Sequence, residues 1–296
     1  MSERKAKPAL KQLHAMTVDV EEHFQVSAFG DSVSRESWGQ HESRVNGNMA
    51  RMLDLFDEAG VRTTCFVLGW VAERQPELVK KIVSRGHEIG SHGWSHELIY
   101  RQSEEQFKQE LERSRKLLQD LSGQPVQGHR AASFSIDQRN LWALDVIAEA
   151  GFSYDSSLFP VHHDRYGLPN APRQIHRLRT PRGHSLIEFP PTTWRVAGQN
   201  LPLGGGGYLR LYPSALTHYA VRRLEKERMP VMVYVHPWEV DPEQPRVRAP
   251  LKSRFRHYVN LSTTANKLSM LMHQFRFAST QEVLDQHPIP EREVQL

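Results

Sequence analysis

The chain has 296 residues, 39% hydrophobic and 24% charged, with a formal net charge of +4. That length and composition fit one large globular domain, or one domain with an appendage, and exclude a disordered or fibrous chain. No apolar run reaches the ~18–20 residues of a membrane span, and the cations are too dispersed for a nucleic-acid partner.

Residues 1–12 are polar and lack the apolar stretch of a signal peptide. They are expected to be a disordered lead on a cytoplasmic protein. "LHAMTVDV" (13–20) reads as a strand, and "NMARMLDLFDEAG" (48–60) as a helix with Met49, Met52, Leu53 and Phe56 on one face. "VRTTCFVLG" (61–69) is β-branched and reads as a strand. It carries the single cysteine, Cys65, which fits a reducing compartment and a buried small hydrophobe. "PELVKKIVSRG" (76–86) has the Pro and Gly punctuation of a helix, and "HEIGSHG" (87–93) is a short strand entering a loop. "SEEQFKQELERSRKLLQDLSG" (103–123) is a capped helix. "VQGHRAAS" (126–133), "DQRNLWALDVIAEAG" (137–151) and "FSYDSS" (152–157) read as strand, helix and strand.

The Pro/Gly-rich stretch 158–212 is expected to contain a strand over 185–192 and to end in a flexible "GGGG" loop (204–207). "YPSALTHYAVRRLEKERMP" (212–230) is a helix and "VMVYVHP" (231–237) a buried strand. The basic cluster "RVRAPLKSRFRH" (246–257) reads as a solvated loop. Repeated strand–helix units argue for an α/β protein with a parallel sheet. No dinucleotide fingerprint follows the first strand, so a barrel is favoured over an open sheet. Asp19, His92, Arg130, Asp155 and His236 fall at or just past strand ends, the rim where barrel sites are built.

"SHGWSH" (91–96) places His92 and His96 four apart after a short strand, with Gly93 permitting a tight turn. H-x3-H alone is a weak signal. Two His plus one carboxylate, however, is a common open zinc set, and "TVDVEEHF" (17–24) supplies Asp19, Glu21 and Glu22. Such neighbouring acids can divide the roles of ligand and base. Arg130 in "GHRAAS" is suited to pin a carboxylate, and His236 in "YVHPWE" to act as an acid in a shielded pocket.

Read in order, "TVDVEE", "SHGWSH", "GHRAAS", "YDSS" and "YVHPWE" resemble the polysaccharide deacetylase family (carbohydrate esterase family 4, with homology to chitooligosaccharide deacetylases) over about residues 13–240. "DVEEHFQVSAF", "YDSSLFP" and "HPWEVDPEQPR" resemble its subgroup from exopolysaccharide and exosortase loci. The resemblance implies a distorted (β/α)7 barrel over 13–240 and a C-terminal extension over 241–296 that packs on it. It implies a divalent metal, usually zinc, on His92 and His96. It also implies Asp19 as general base, Arg130 as the group that pins it, His236 as the acid for the leaving amine, and Asp155 as a residue near that acid. The family's metal aspartate is replaced by Val20. Glu21 is then the nearest equivalent, because it shares a strand face with Asp19, and Glu22 is the rival. Ala132 stands where the arginine motif often has proline.

The implied reaction is hydrolysis of the N-acetyl groups of a glycan or its lipid-linked precursor. A backbone N–H near Ala131 is expected to hold the oxyanion. Trp94, Trp194, Tyr208 and Trp238 are candidates to stack on sugars, each with core packing as its alternative. The basic 246–257 stretch suits peripheral association with the inner membrane face, and a homo-oligomer is compatible with the sequence. Two other functions stay open: an amidase for small amides or cyclic imides on the same fold, and a non-catalytic carbohydrate-binding protein.

Overall fold

The computed structural model describes residues 12–163 and 166–296. The lead expected at 1–12 lies outside the described residues except for Gln12. Strand β1 (Leu13–Val20) runs into a long loop and helix α1 (Val45–Glu58). β2 (Thr64–Val67), α2 (Gly69–Arg74), α3 (Pro76–Ser84) and β3 (Glu88–Ser91) follow. Then come α4 (Glu104–Ser122), β4 (Gly128–His129), α5 (Trp142–Glu149) and β5 (Tyr154–Asp155). Ser103 and Gln106 form a reciprocal capping box at the start of α4, and Gly123 ends it at φ 66°.

The stretch 158–212 holds more strand than its composition predicts. β6 (His176–Arg179) pairs antiparallel with β7 (Ser185–Glu188), and β8 (Thr193–Val196) pairs antiparallel with β9 (Gln199–Pro202). α6 (Gly206–Leu211), α7 (Ser214–Lys226) and β10 (Met232–Val235) complete the repeat. The C-terminal part adds α8 (Leu251–Tyr258), α9 (Thr264–Gln274), β11 (Arg276–Ala278), α10 (Thr280–Gln286) and β12 (Val294–Gln295). β11 pairs with the start of β1, so this part joins the main sheet.

The sheet runs β10-β1-β2-β3-β4-β5-β7-β6-β12. The seven strands from β10 to β7 are parallel. β4 lies three places from β1, which in a flat sheet is ~14 Å. Arg130, the residue after β4, nevertheless donates from Nη1 to Asp19 Oδ1 at 2.6 Å, and from Nη2 to Met232 Sδ of β10 at 2.9 Å. The sheet is therefore rolled, with Arg130 inside the roll. Ala15, Phe66, Tyr154, Phe189 and Met232 pack together in the interior. Met16, Val18 and Val20, on the opposite face of β1, pack outward with Met49, Met52 and Phe56 of α1. This is the period-two alternation of a strand buried on both faces.

Between β7 and β10 the roll is bridged by irregular backbone. Tyr234 N–H donates to Gly204 O at 2.8 Å, Leu203 N–H to Thr192 O at 3.0 Å, and Met232 N–H to Thr192 Oγ1 at 2.7 Å. This corrects the reading of 204–207 as a flexible loop. A Cβ on Gly205 would sit 1.9 Å from Tyr234 O, and one on Gly204 2.3 Å from Met232 O. The glycines are needed so that backbone can lie directly against backbone, and Gly206 then starts a helix. Residues 246–257 are not wholly a solvated loop either: 251–258 form α8, with Ser253 and His257 buried. The strand expected over 126–133 is only two residues long, because the chain turns at Ala132–Phe134 once Arg130 has pointed inward. Cys65 is fully buried, which pushes its thiol up to about 12. No helix among the described residues is long and apolar enough to cross a membrane.

Two stability outcomes follow from this packing. Gly205→Ala must displace backbone and should cost ~1–3 kcal/mol in denaturant unfolding; an unchanged midpoint would refute the closure role. Arg130→Met strands the buried Asp19 charge and should cost ~3–5 kcal/mol. Adding Asp19→Asn should recover part of that loss, whereas additive losses would mean the pair is not coupled.

Candidate active site and metal centre

The carboxyl ends of the parallel strands bring the candidate residues together. Asp19 closes β1, His92 follows β3, Arg130 follows β4 and His236 follows β10. Asp19 and Glu21 are two apart and project to the same side. Glu22 projects away, accepting from Ser43 Oγ and, at 3.0 Å, from Arg44 N–H. Glu21, His92 and His96 converge, each offering one ligand atom within 4.8 Å of the others. All three are buried. His96 is held at φ 52° and Gly93 at φ 75°, so the turn between the histidines passes twice through left-handed backbone. For a histidine that conformation is uncommon and strained.

The donor chemistry fits a metal ion. His92 Nδ1–H donates to Arg130 O at 2.8 Å, which fixes the tautomer and leaves Nε2 with a free lone pair. Glu21 Oε2 lies 2.9 Å from His96 Nε2, yet it has no partner at hydrogen-bonding geometry. A buried carboxylate oxygen and imidazole nitrogens that face one another without pairing suit a small divalent cation. Two nitrogens and one oxygen are a zinc-type set.

Burial works against charge throughout the cluster, and neighbours decide the result. At Glu21 burial opposes ionisation, but His96, His236 and His92 outweigh it and bring the carboxyl down to about 2. Burial dominates at His92 and lowers it to about 4. At His236 burial is outweighed by the Glu239 hydrogen bond and by Glu21 and Asp19, raising it to about 9. His236 Nε2 faces both acids, 3.7 Å from Glu21 Oε1 and 3.9 Å from Asp19 Oδ2. Arg130 also donates to Thr17 Oγ1 and Ser156 Oγ, and lies 4.2 Å over the Phe66 ring.

Several sequence expectations are corrected. Asp155 is not beside His236: it is fully buried, accepting from His129 Nδ1 at 2.7 Å and Ser157 Oγ at 2.8 Å. Its other oxygen accepts from Ser157 N–H at 3.0 Å, so the carboxylate is engaged by His129 and Ser157. Ala131 N–H already donates to Ser157 Oγ at 2.8 Å, so it is not free to hold an oxyanion. Trp94 packs against Gly69 and under the Arg113 guanidinium, 3.4 Å from its ring centre. Trp238 is stacked between His236 and His257, with centroids at 4.8 and 4.0 Å. Both of its faces are covered, and its Nε1–H points to Glu21 Oε1 at 3.3 Å. Trp194 meets Tyr219 edge-on at 6.0 Å. Tyr208 lines a cavity of about 860 Å³ with Arg173, Arg195, Asn200 and Glu227 among others, which none of the three metal-facing residues lines. His96 instead borders a cavity of about 360 Å³ with Phe24, Trp38, Tyr100 and Arg101.

Sequence reasoning missed Glu239 and Arg210. Glu239 was legible in principle, since it stands three residues after His236, at a capping-box spacing.

A family profile described as polysaccharide deacetylase matches residues 37–154, and a domain of unknown function (DUF3473) matches 156–285. The chain is 33% identical over 114 residues to a peptidoglycan deacetylase of Helicobacter pylori, covering 38% of this chain and 37% of that protein. It spans about a third of the length of the curated relatives it matches. Its fold is similar to that of a putative polysaccharide deacetylase from Mycobacterium smegmatis, with TM-score 0.61 and 19% identity over 98% of this chain and 97% of the other. It is also similar in fold to Puue allantoinase, with TM-score 0.58 and 15% identity over 94% and 91% of the two chains. Over residues 37–154 the chain is thus similar to polysaccharide deacetylases, and it shares the fold of such a protein along nearly its whole length.

Proposed function

We propose that the protein is a metal-dependent hydrolase that removes N-acetyl groups from amino sugars of a polysaccharide, or of its lipid-linked precursor, in exopolysaccharide biosynthesis. The observation that carries this reading is the convergence of Glu21, His92 and His96 beside the Arg130–Asp19 pair and His236. A divalent metal, preferably zinc, bound by those three side chains would supply a Lewis acid that acidifies water and polarises the acetamide carbonyl.

The chain's own groups then move the protons. Arg130 occupies Asp19 Oδ1 and leaves Oδ2 as the oxygen nearer His236. Asp19 Oδ2 accepts the proton of the attacking water as a bond forms to the acetyl carbon. His236 Nε2–H gives its proton to the amide nitrogen as the carbon–nitrogen bond breaks. The products are acetate and a free amino sugar. Burial of Asp19 and Glu21 excludes competing water and strengthens each interaction at the reacting centre.

A membrane-held substrate is supported by α8. Leu251 is 81% exposed and Phe255 60% exposed. They lie one turn apart on one face, with Lys252, Arg254 and Arg256 also exposed on the same helix. Apolar side chains flanked by cations suit the surface of an anionic membrane.

Purified protein should bind zinc near one to one and release acetate from N-acetylglucosamine oligomers, and His92→Ala should lose both. Zinc without acetate on any N-acetylated glycan would end the deacetylase reading. Lys252→Glu with Arg256→Glu should weaken sedimentation with phosphatidylglycerol vesicles by ~10-fold or more, at ~1 kcal/mol per surface charge. Equal sedimentation of the variant would end the membrane reading.

A further inference from the structure

A second buried ion pair lies behind His236. Arg210 is 1% exposed and Glu239 is fully buried. Taking both charges out of water costs several kcal/mol per ion, so such a pair persists only when its donors and acceptors are satisfied. Here they are. Arg210 Nε donates to Glu239 Oε2 at 2.7 Å. Glu239 Oε1 accepts from His236 N–H at 3.0 Å and from His236 Nδ1–H at 2.8 Å. Arg210 Nη1 donates to the carbonyls of His257 and Val259, at 2.8 and 2.7 Å, and Nη2 to the carbonyl of Arg256 at 3.0 Å. Those carbonyls form the C-terminal end of α8, where a helix has no acceptors' partners of its own. The His257 ring, from the same turn, stacks on Trp238, which stacks on His236.

We propose that Glu239 and Arg210 are positioning residues for His236, and that the end of α8 is thereby part of the active site. The proposal rests on His236 being the proton donor. Holding Nδ1–H on a carboxylate fixes the ring so that Nε2 points at the reacting amide, and it stabilises the doubly protonated imidazole that must give up its Nε2 proton. Arg210 keeps that carboxylate charged and aimed. Its planar fork bridges Glu239 to three carbonyls at once, which a lysine cannot do. The extension therefore serves the chemistry through Arg210 and through the His257 ring stacked on Trp238.

The test compares Glu239→Gln, Arg210→Lys and His236→Asn, singly and with Glu239→Gln added to His236→Asn, in the zinc-loaded full chain. Gln retains an acceptor for Nδ1–H but not the charge. Glu239→Gln should lower kcat ~10²–10⁴-fold, with KM and zinc content little changed. Arg210→Lys should fall between it and the wild type. The double variant should be no slower than His236→Asn, because a group that acts only through His236 has nothing left to do.

A readout independent of turnover is the hydrogen-bonded Nδ1–H proton resonance of His236, assigned by its absence in His236→Asn. It should shift upfield or vanish in Glu239→Gln and Arg210→Lys. If the wild type releases no acetate but the resonance behaves this way, the deacetylase reading fails and the positioning stands. An unchanged kcat and resonance in Glu239→Gln, or a double variant slower than His236→Asn by the full single factor, would overturn the proposal. Should Glu239→Gln not fold, Arg210→Lys carries the same two readouts.

Discussion

A guanidinium without solvent contact has to be answered on every nitrogen, and Arg130 imposes that demand at the centre of the molecule. Its partners come from β1 (Thr17 and Asp19), from the residue after β5 (Ser156) and from β10 (Met232), while the Phe66 ring of β2 lies beneath it. These elements satisfy one side chain only if the sheet rolls until its two ends approach each other. The glycines at 204 and 205 make that approach possible on the far side, where backbone lies against backbone. The same ion pair fixes the acid at the rim, so the constraint that rolls the sheet also orients Asp19.

Above that pair, the site balances burial against charge. Isolated carboxylates in such surroundings would be pushed toward neutrality. Glu21 is instead driven down to about 2 by three imidazoles, and His236 driven up to about 9 by three carboxylates. Glu22 shows the alternative. It is nearly as buried as Glu21, but the Ser43 hydroxyl, the backbone amides and the Arg44 charge do not outweigh burial, which raises its pKa. Adjacent residues on one strand end acquire opposite behaviour because alternate side chains point to opposite sides.

The two matched profiles divide these duties. His92, His96 and Arg130 fall within 37–154, while Arg210, His236 and Glu239 fall within 156–285. Asp19 and Glu21, on β1, precede both. β1 pairs with β2 on one side and with β10 on the other, so it is the seam at which the halves meet. A site assembled across that seam depends on contacts from both sides.

Much of this was legible along the chain. Strand and helix periods, the Pro and Gly punctuation and the capping box at Ser103 are set by neighbours three or four residues apart. The positions of Asp19, His92, Arg130 and His236 at strand ends followed from those periods, and strand alternation separated Glu21 from Glu22. The sequence could not show which rings have open faces, and so Trp94 and Trp238 were candidates for sugar stacking until their covered faces were seen. It could not show that Asp155 belongs to His129, that Ala131 N–H is already used, or that Gly204 and Gly205 are closure rather than slack. Nor could it join Arg210 to Glu239 and to the end of α8, contacts spanning 29 and 46 to 49 positions. Local periodicity is written into spacing, whereas the partner of a buried charge is chosen by which distant strands the roll brings within a few ångströms.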